Sequence, residues 1–102
     1  LWLAHAATPQ GTLHVDAGAA TALVERGVSL LPAGVTKVEG EFSAGDTVEI
    51  VAPDGKVIAR GLVGFDASEI PMMLGRSTKD LARELGPEFE RELVHRDDLV
   101  LL

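Results

Sequence analysis

Apolar and polar positions along this chain change period several times, and the changes divide it into short strands with a few helices. Gly11-Thr12-Leu13-His14-Val15 alternates between Gly11 and Asp16 and predicts a strand. Asp16 is placed to cap a helix over Ala17 to Arg26, where Ala19, Leu23 and Val24, with Ala20 beside them, form an apolar stripe at helical spacing. Gly27 ends that helix, because glycine takes the left-handed conformation without steric cost. Val28 to Gly34 is a connector unusually apolar for a surface loop, bent at Pro32 and Gly34.

The middle of the chain reads as three strands. Val35 to Phe42 is anchored by Val35, Val38 and Phe42, and Ser43 to Asp46 forms a turn. Thr47 to Val51 alternates, and Pro53-Asp54-Gly55-Lys56 is a hairpin turn, since Asp-Gly suits positive φ. Val57 to Phe65 returns as the next strand, with Gly61 and Gly64 marking a bulge or a close backbone approach. Helical spacing then resumes. Ser68 to Gly75 predicts a short helix with Pro71 in its first turn, and Ser77 with Asp80 resembles a capping box before Leu81 and Leu85. Gly86-Pro87 stops this second helix, and Leu93 to Leu102 is a closing strand with a polar kink at Arg96, Asp97 and Asp98. The fold class predicted is mainly β with short flanking helices. Five short strands would form a small, partly closed barrel, with Leu99 to Leu102 sealing it and closure hiding both sheet edges.

At 102 residues the chain is a single domain, 1–102, long enough for one hydrophobic core. With no cysteine, disulfides and thiolate chemistry are excluded, which fits a cytoplasmic setting. No apolar run reaches membrane-spanning length, and the start LWLAHAA has neither a basic signal-peptide region nor an initiator Met. It reads as an entry into the middle of a larger chain. The net charge of −7 disfavours nucleic acid, whose binders draw affinity from Lys and Arg on phosphates.

Candidate chemistry is sparse. His95-Arg96-Asp97 spells the start of a protein-kinase catalytic loop, but Asp98 intervenes before Leu99 and the kinase's glycine-rich loop and Lys-Glu pair are missing. His14/Asp16 and His95/Asp97 each sit at i, i+2 on a predicted strand, so neighbouring strands could assemble a metal site. Against this, Asp16 suits a helix cap, Asp97 suits a turn or a solvated strand face, and no third donor cluster exists. His5 stands alone near the terminus. No phosphate-binding loop is present, and no nucleophile elbow supports Ser29, Ser43, Ser68 or Ser77. Arg26, Lys37, Arg60, Arg76 and Lys79 could gather near the apolar connector, with Arg60-Gly61 offering a guanidinium beside exposed backbone. The alternative is a scattered set offset by Glu25, Glu39 and Glu41. Trp2, Phe42, Phe65 and Phe89 are too few and too separate from these cations to make a base-stacking platform.

The segments GTLHVDAGAATALVERGVSLLPAGVTKVEGEFSAGDTVEI, GKVIARGLVGF and ELVHRDDLVLL together resemble a PUA domain, and more narrowly the C-terminal PUA domain of bacterial glutamate 5-kinases. The resemblance runs from Trp2 to Leu102, with Asp98 standing where that family commonly has Asn. It implies a pseudo-barrel of five to six strands and a chain that is one piece of a longer enzyme. Such an enzyme would transfer the γ-phosphate of ATP, with Mg²⁺, to the side-chain carboxylate of glutamate in proline biosynthesis, under feedback inhibition by proline. The amino-acid-kinase domain doing this would lie upstream, so no catalytic, metal or cofactor residue is expected in this fragment. The implied partners are that upstream domain and further copies in a homo-oligomer, with no membrane. By resemblance to RNA-binding PUA domains, the face for RNA would be Arg26, Gly27, Ser29, Leu30, Pro32, Gly34 and Arg60.

Overall fold

The computed structural model describes residues 8–102, so Trp2, His5 and the rest of the LWLAHAA start lie outside the described residues. Strand β1 (Gly11–Val15) leads into helix α1 (Ala17–Arg26), and β2 (Val35–Gly40), β3 (Thr47–Val51) and β4 (Val57–Val63) follow. Helix α2 (Thr78–Leu85) precedes the last strand, β5 (Val94–Leu101). The five strands form one mixed sheet in the order β2-β1-β3-β4-β5, with β1 and β3 parallel and every other pair antiparallel.

Strand register explains which residues face the core. Leu13 pairs with Ile50 and Ile50 with Ala59, a row that is fully buried. The adjacent row, Thr12-Glu49-Arg60-Val100, points to the opposite face because side chains alternate along a strand. Leu23 of α1, Leu81 of α2 and Ile70, Met73 and Leu93 from the connections complete the core.

Local signals account for both helices. Asp16 accepts from Ala19 N at 2.7 Å, and Gly27 ends α1 in the left-handed region at φ 60°. Ser77 accepts from Asp80 N at 3.2 Å and caps α2. The apolar stripe of α1 is narrower than predicted. Ala19, Ala20 and Leu23 pack inward, whereas Val24, about 40° beyond Ala20 around the helix, is exposed.

Four expectations change in detail. β2 stops at Gly40, and Phe42 is buried from beyond the strand end; β4 likewise stops at Val63. Only a 3₁₀ turn, Ile70–Met72, forms where a short helix was expected; Pro71 sits in its first turn, and Gly75 soon after takes a left-handed φ of 70° that a helix cannot continue through. β5 is continuous, but its pairing with β4 is irregular where the polar kink was expected: Gly61 pairs with Leu99 and Val63 with Val94, so the extra residues of β5 bulge at His95 to Asp98. Of the segment expected to seal the fold, Leu99 packs against the core, whereas Leu101 and Leu102 are exposed. Closure comes instead from the connector after α1. Leu30 N donates to Val94 O at 2.9 Å, and Leu93 N donates to Leu30 O at 2.8 Å. That single bridge joins the α1 side to β5 without pairing the two sheet edges.

Candidate functional site

The backbone of the apolar connector is held at three points. Leu30 is bonded to β5, Pro32 O accepts from Gly75 N at 3.1 Å, and Gly34 O accepts from Asp16 N at 2.9 Å. Such clamping pins a loop as firmly as a strand and fixes the side chains it presents. Leu30 and Pro32 turn inward and are buried, while Val28 and Leu31 turn outward. The apolar composition of the connector is thus split between a core contribution and an outward face.

Between this outward face and α1 lies an open groove of about 510 Å³. Ala19, Ala22 and Leu23 form one wall, and Val28, Leu31 and Ala33 the other. The two walls meet closely because residue 34 is glycine: a Cβ there would stand 2.6 Å from the Ala19 Cβ. Two polar side chains of the groove each accept one hydrogen bond within the domain. The Asp16 carboxylate caps α1, and the Ser29 hydroxyl accepts from Arg96 N at 2.8 Å. Arg26 is the single cation among the described lining residues, placed in the last turn of α1 where the helix dipole favours it.

Of the residues named from the sequence, Arg26, Ser29, Leu30 and Gly34 line this groove. Gly27 lies between two lining residues, and Pro32 is buried behind them. Arg60 is elsewhere. It sits on the opposite face of β4, 3.4 Å from Glu49, and Gly61 beside it is buried against β5 rather than offering open backbone. Lys37 lies 4.0 Å from Glu39 and Arg76 lies 2.8 Å from Glu84, so the predicted basic set does not converge. Sequence reasoning missed Ala22, Leu31 and Ala33 as lining residues. The signal available was the run of apolar residues in a segment with no strand or helix period.

The two His-x-Asp pairs stay apart, since β3 and β4 separate β1 from β5 by roughly 14 Å at sheet spacing. Asp16 is occupied as a cap, and His95 Nδ1 accepts from Asp97 N at 3.1 Å. Among the described residues no group of three or more His, Cys, Asp or Glu could hold a metal ion. His14 pairs with Glu39 on the neighbouring strand instead. That hydrogen bond, followed by the nearby Lys37 charge, lowers the Glu39 carboxyl from its ordinary value. A lowered native value means that Glu39 favours the fold above the unfolded-state value and loses that contribution as pH falls through the native one. An NMR titration should therefore place the Glu39 midpoint below the ordinary glutamate value, and His14→Gln should move it back up. An unchanged midpoint in that variant would remove His14 as the main cause.

Comparison with known proteins agrees with this architecture. The PUA domain family profile matches residues 11–85, and the chain belongs to that family. A PUA domain from Aeropyrum pernix K1, solved as a tartrate complex, superposes with a TM-score of 0.62 at 29% identity, covering 85% of this chain and 41% of that one. A conserved PUA domain protein from Thermoplasma acidophilum gives 0.55 at 26% identity, over 60% of this chain and 40% of its own. Within the family the chain aligns with the C-terminal part of bacterial glutamate 5-kinases. It is 69% identical to the glutamate 5-kinase of Frankia casuarinae over all 102 residues, and 68% identical to that of Streptomyces avermitilis. It spans only 28% and 27% of those two relatives. Among the described residues no helix is long and apolar enough to cross a membrane.

Proposed function

We propose that this chain is the accessory, noncatalytic domain of a cytoplasmic glutamate 5-kinase, acting on the regulation or assembly of the enzyme. The observation that carries this reading is the 69% identity across the whole chain to a glutamate 5-kinase of which it spans 28%. The parent enzyme would phosphorylate the side-chain carboxylate of glutamate with ATP and Mg²⁺. Its upstream amino-acid-kinase domain would hold the nucleotide and metal, because the described residues offer neither a phosphate-binding loop nor a metal-donor cluster.

Removing this domain from the full-length protein tests the reading. Glutamate-dependent phosphoryl transfer should persist, while proline inhibition, oligomeric state or both should change. If all three are unaltered, the domain has no such part in the enzyme. A second reading, an RNA-binding module, draws support from Arg26, Ser29, Leu30 and Gly34 lining one groove. The single cation there and the net charge of −7 weigh against it, since phosphate contacts dominate such affinity.

A further inference from the structure

We propose that the groove between α1 and the connector is the surface on which this domain docks apolar side chains of the polypeptide preceding it. The proposal rests on the reading that the chain is the C-terminal domain of a longer enzyme. Its occupant follows from what the groove has and lacks. Val28 and Leu31 are large apolar side chains, 36% and 49% exposed, on a connector clamped at three points. Holding them in water has no structural benefit for the isolated domain, because neither seals the core.

Three other occupants are less suited to this surface. RNA would need several cations, and Arg26 is the one cation among the described lining residues, with the Asp16 carboxylate at the other end of α1. A small polar ligand would need several convergent polar groups, but Asp16, Arg26 and Ser29 supply the only polar side chains among the described lining residues, and two of them already accept from Ala19 N and Arg96 N. A second copy would need an interface burying about 1,200–2,000 Å² in total, far more than two exposed side chains beside a groove can provide. A tethered partner escapes this size requirement. A segment of the same polypeptide is present at an effective concentration on the order of millimolar, so a small apolar contact suffices. The relatives supply such a partner, because some 72% of the Frankia protein lies outside the span of this chain.

The absence of cysteine from this chain allows a direct test in the full-length protein. Single thiols are introduced as Leu31→Cys in the groove and as Lys56→Cys in the exposed β3–β4 turn, and their alkylation rates are read by peptide mass spectrometry. Leu31→Cys is expected to label at least tenfold more slowly than Lys56→Cys, independently of protein concentration. Val28→Asp, added to the Leu31→Cys background, should restore fast labelling without loss of the folded circular-dichroism signal. Equal rates at the two thiols overturn the proposal. Slow labelling that disappears on dilution, or that requires added RNA, also overturns it in favour of a second copy or a nucleic acid. Glutamate-dependent phosphoryl transfer is measured on the same preparations. Its absence would refute the parentage, whereas an accessible groove thiol in an active enzyme would refute the docking alone.

Discussion

Leu30→Ala should lower the unfolding free energy by about 2–5 kcal/mol, whereas Leu31→Ala, one residue on, should change it by no more than about 0.5 kcal/mol. The two leucines are chemically identical and adjacent, so intrinsic propensity and composition cancel between them. What differs is burial: Leu30 is 1% exposed and Leu31 is 49% exposed. Truncating Leu30 removes its transfer free energy and leaves a cavity. The surroundings cannot collapse into that space, since the Leu30 backbone is bonded on both sides to the β5 entrance. In this chain by itself, truncating Leu31 removes surface that water already reaches. Urea unfolding monitored by circular dichroism checks both variants. The midpoint should fall for Leu30→Ala at an unchanged slope, because the same surface is exposed on unfolding. Comparable midpoints for the two variants would show that the connector does not close the fold.

The same pair shows how far the sequence could be read. β1, α1 and β3 were legible because their determinants are local: alternation, an Asp cap three residues from its donor, a glycine stop. The connector was legible as an oddity and not as a structure. Which of Leu30, Leu31 and Pro32 turns inward is decided by β5, whose Arg96 N meets the Ser29 hydroxyl across 67 residues of sequence. No local period encodes that contact. Arg60 lies away from the groove for the opposite reason. Its neighbours in sequence suggested an anion site, but its cross-strand partner Glu49, set by the β3–β4 register, takes its charge. The irregularity expected at Arg96 to Asp98 was legible from the charges that interrupt an apolar strand, and the β4–β5 register shift falls there. The groove thus follows from long-range pairing that holds an apolar loop in place.

Gly61→Val should prove more disruptive than its position in a strand suggests, and Val94→Ala should recover part of the loss. In β4, Gly61 is buried where the strand meets β5, and the β4–β5 register shifts immediately after it. A Cβ at 61 would collide with Val94 Cγ1 and stand 3.0 Å from Asp98 O. The first obstacle is a side chain and the second is backbone, so their responses differ. Replacing Val94 by Ala removes the methyl group and opens room, but the carbonyl of Asp98 can move only if β5 moves. Overpacking of this kind costs about 1–3 kcal/mol, and Val94→Ala alone has its own cavity cost. The double variant should therefore be more stable than the sum of the single losses predicts, by about 0.5–3 kcal/mol of coupling between residues in contact. Because Val94 O also receives Leu30 N, separating β5 from β4 at Gly61 should loosen the connector as well. Amide exchange at Leu30 in Gly61→Val should then rise with that at Val94, while exchange in the Leu13-Ile50-Ala59 row stays slow. Strict additivity of the two substitutions would place the steric conflict elsewhere. An unchanged Leu30 amide would separate the closing strand from the groove that it supports.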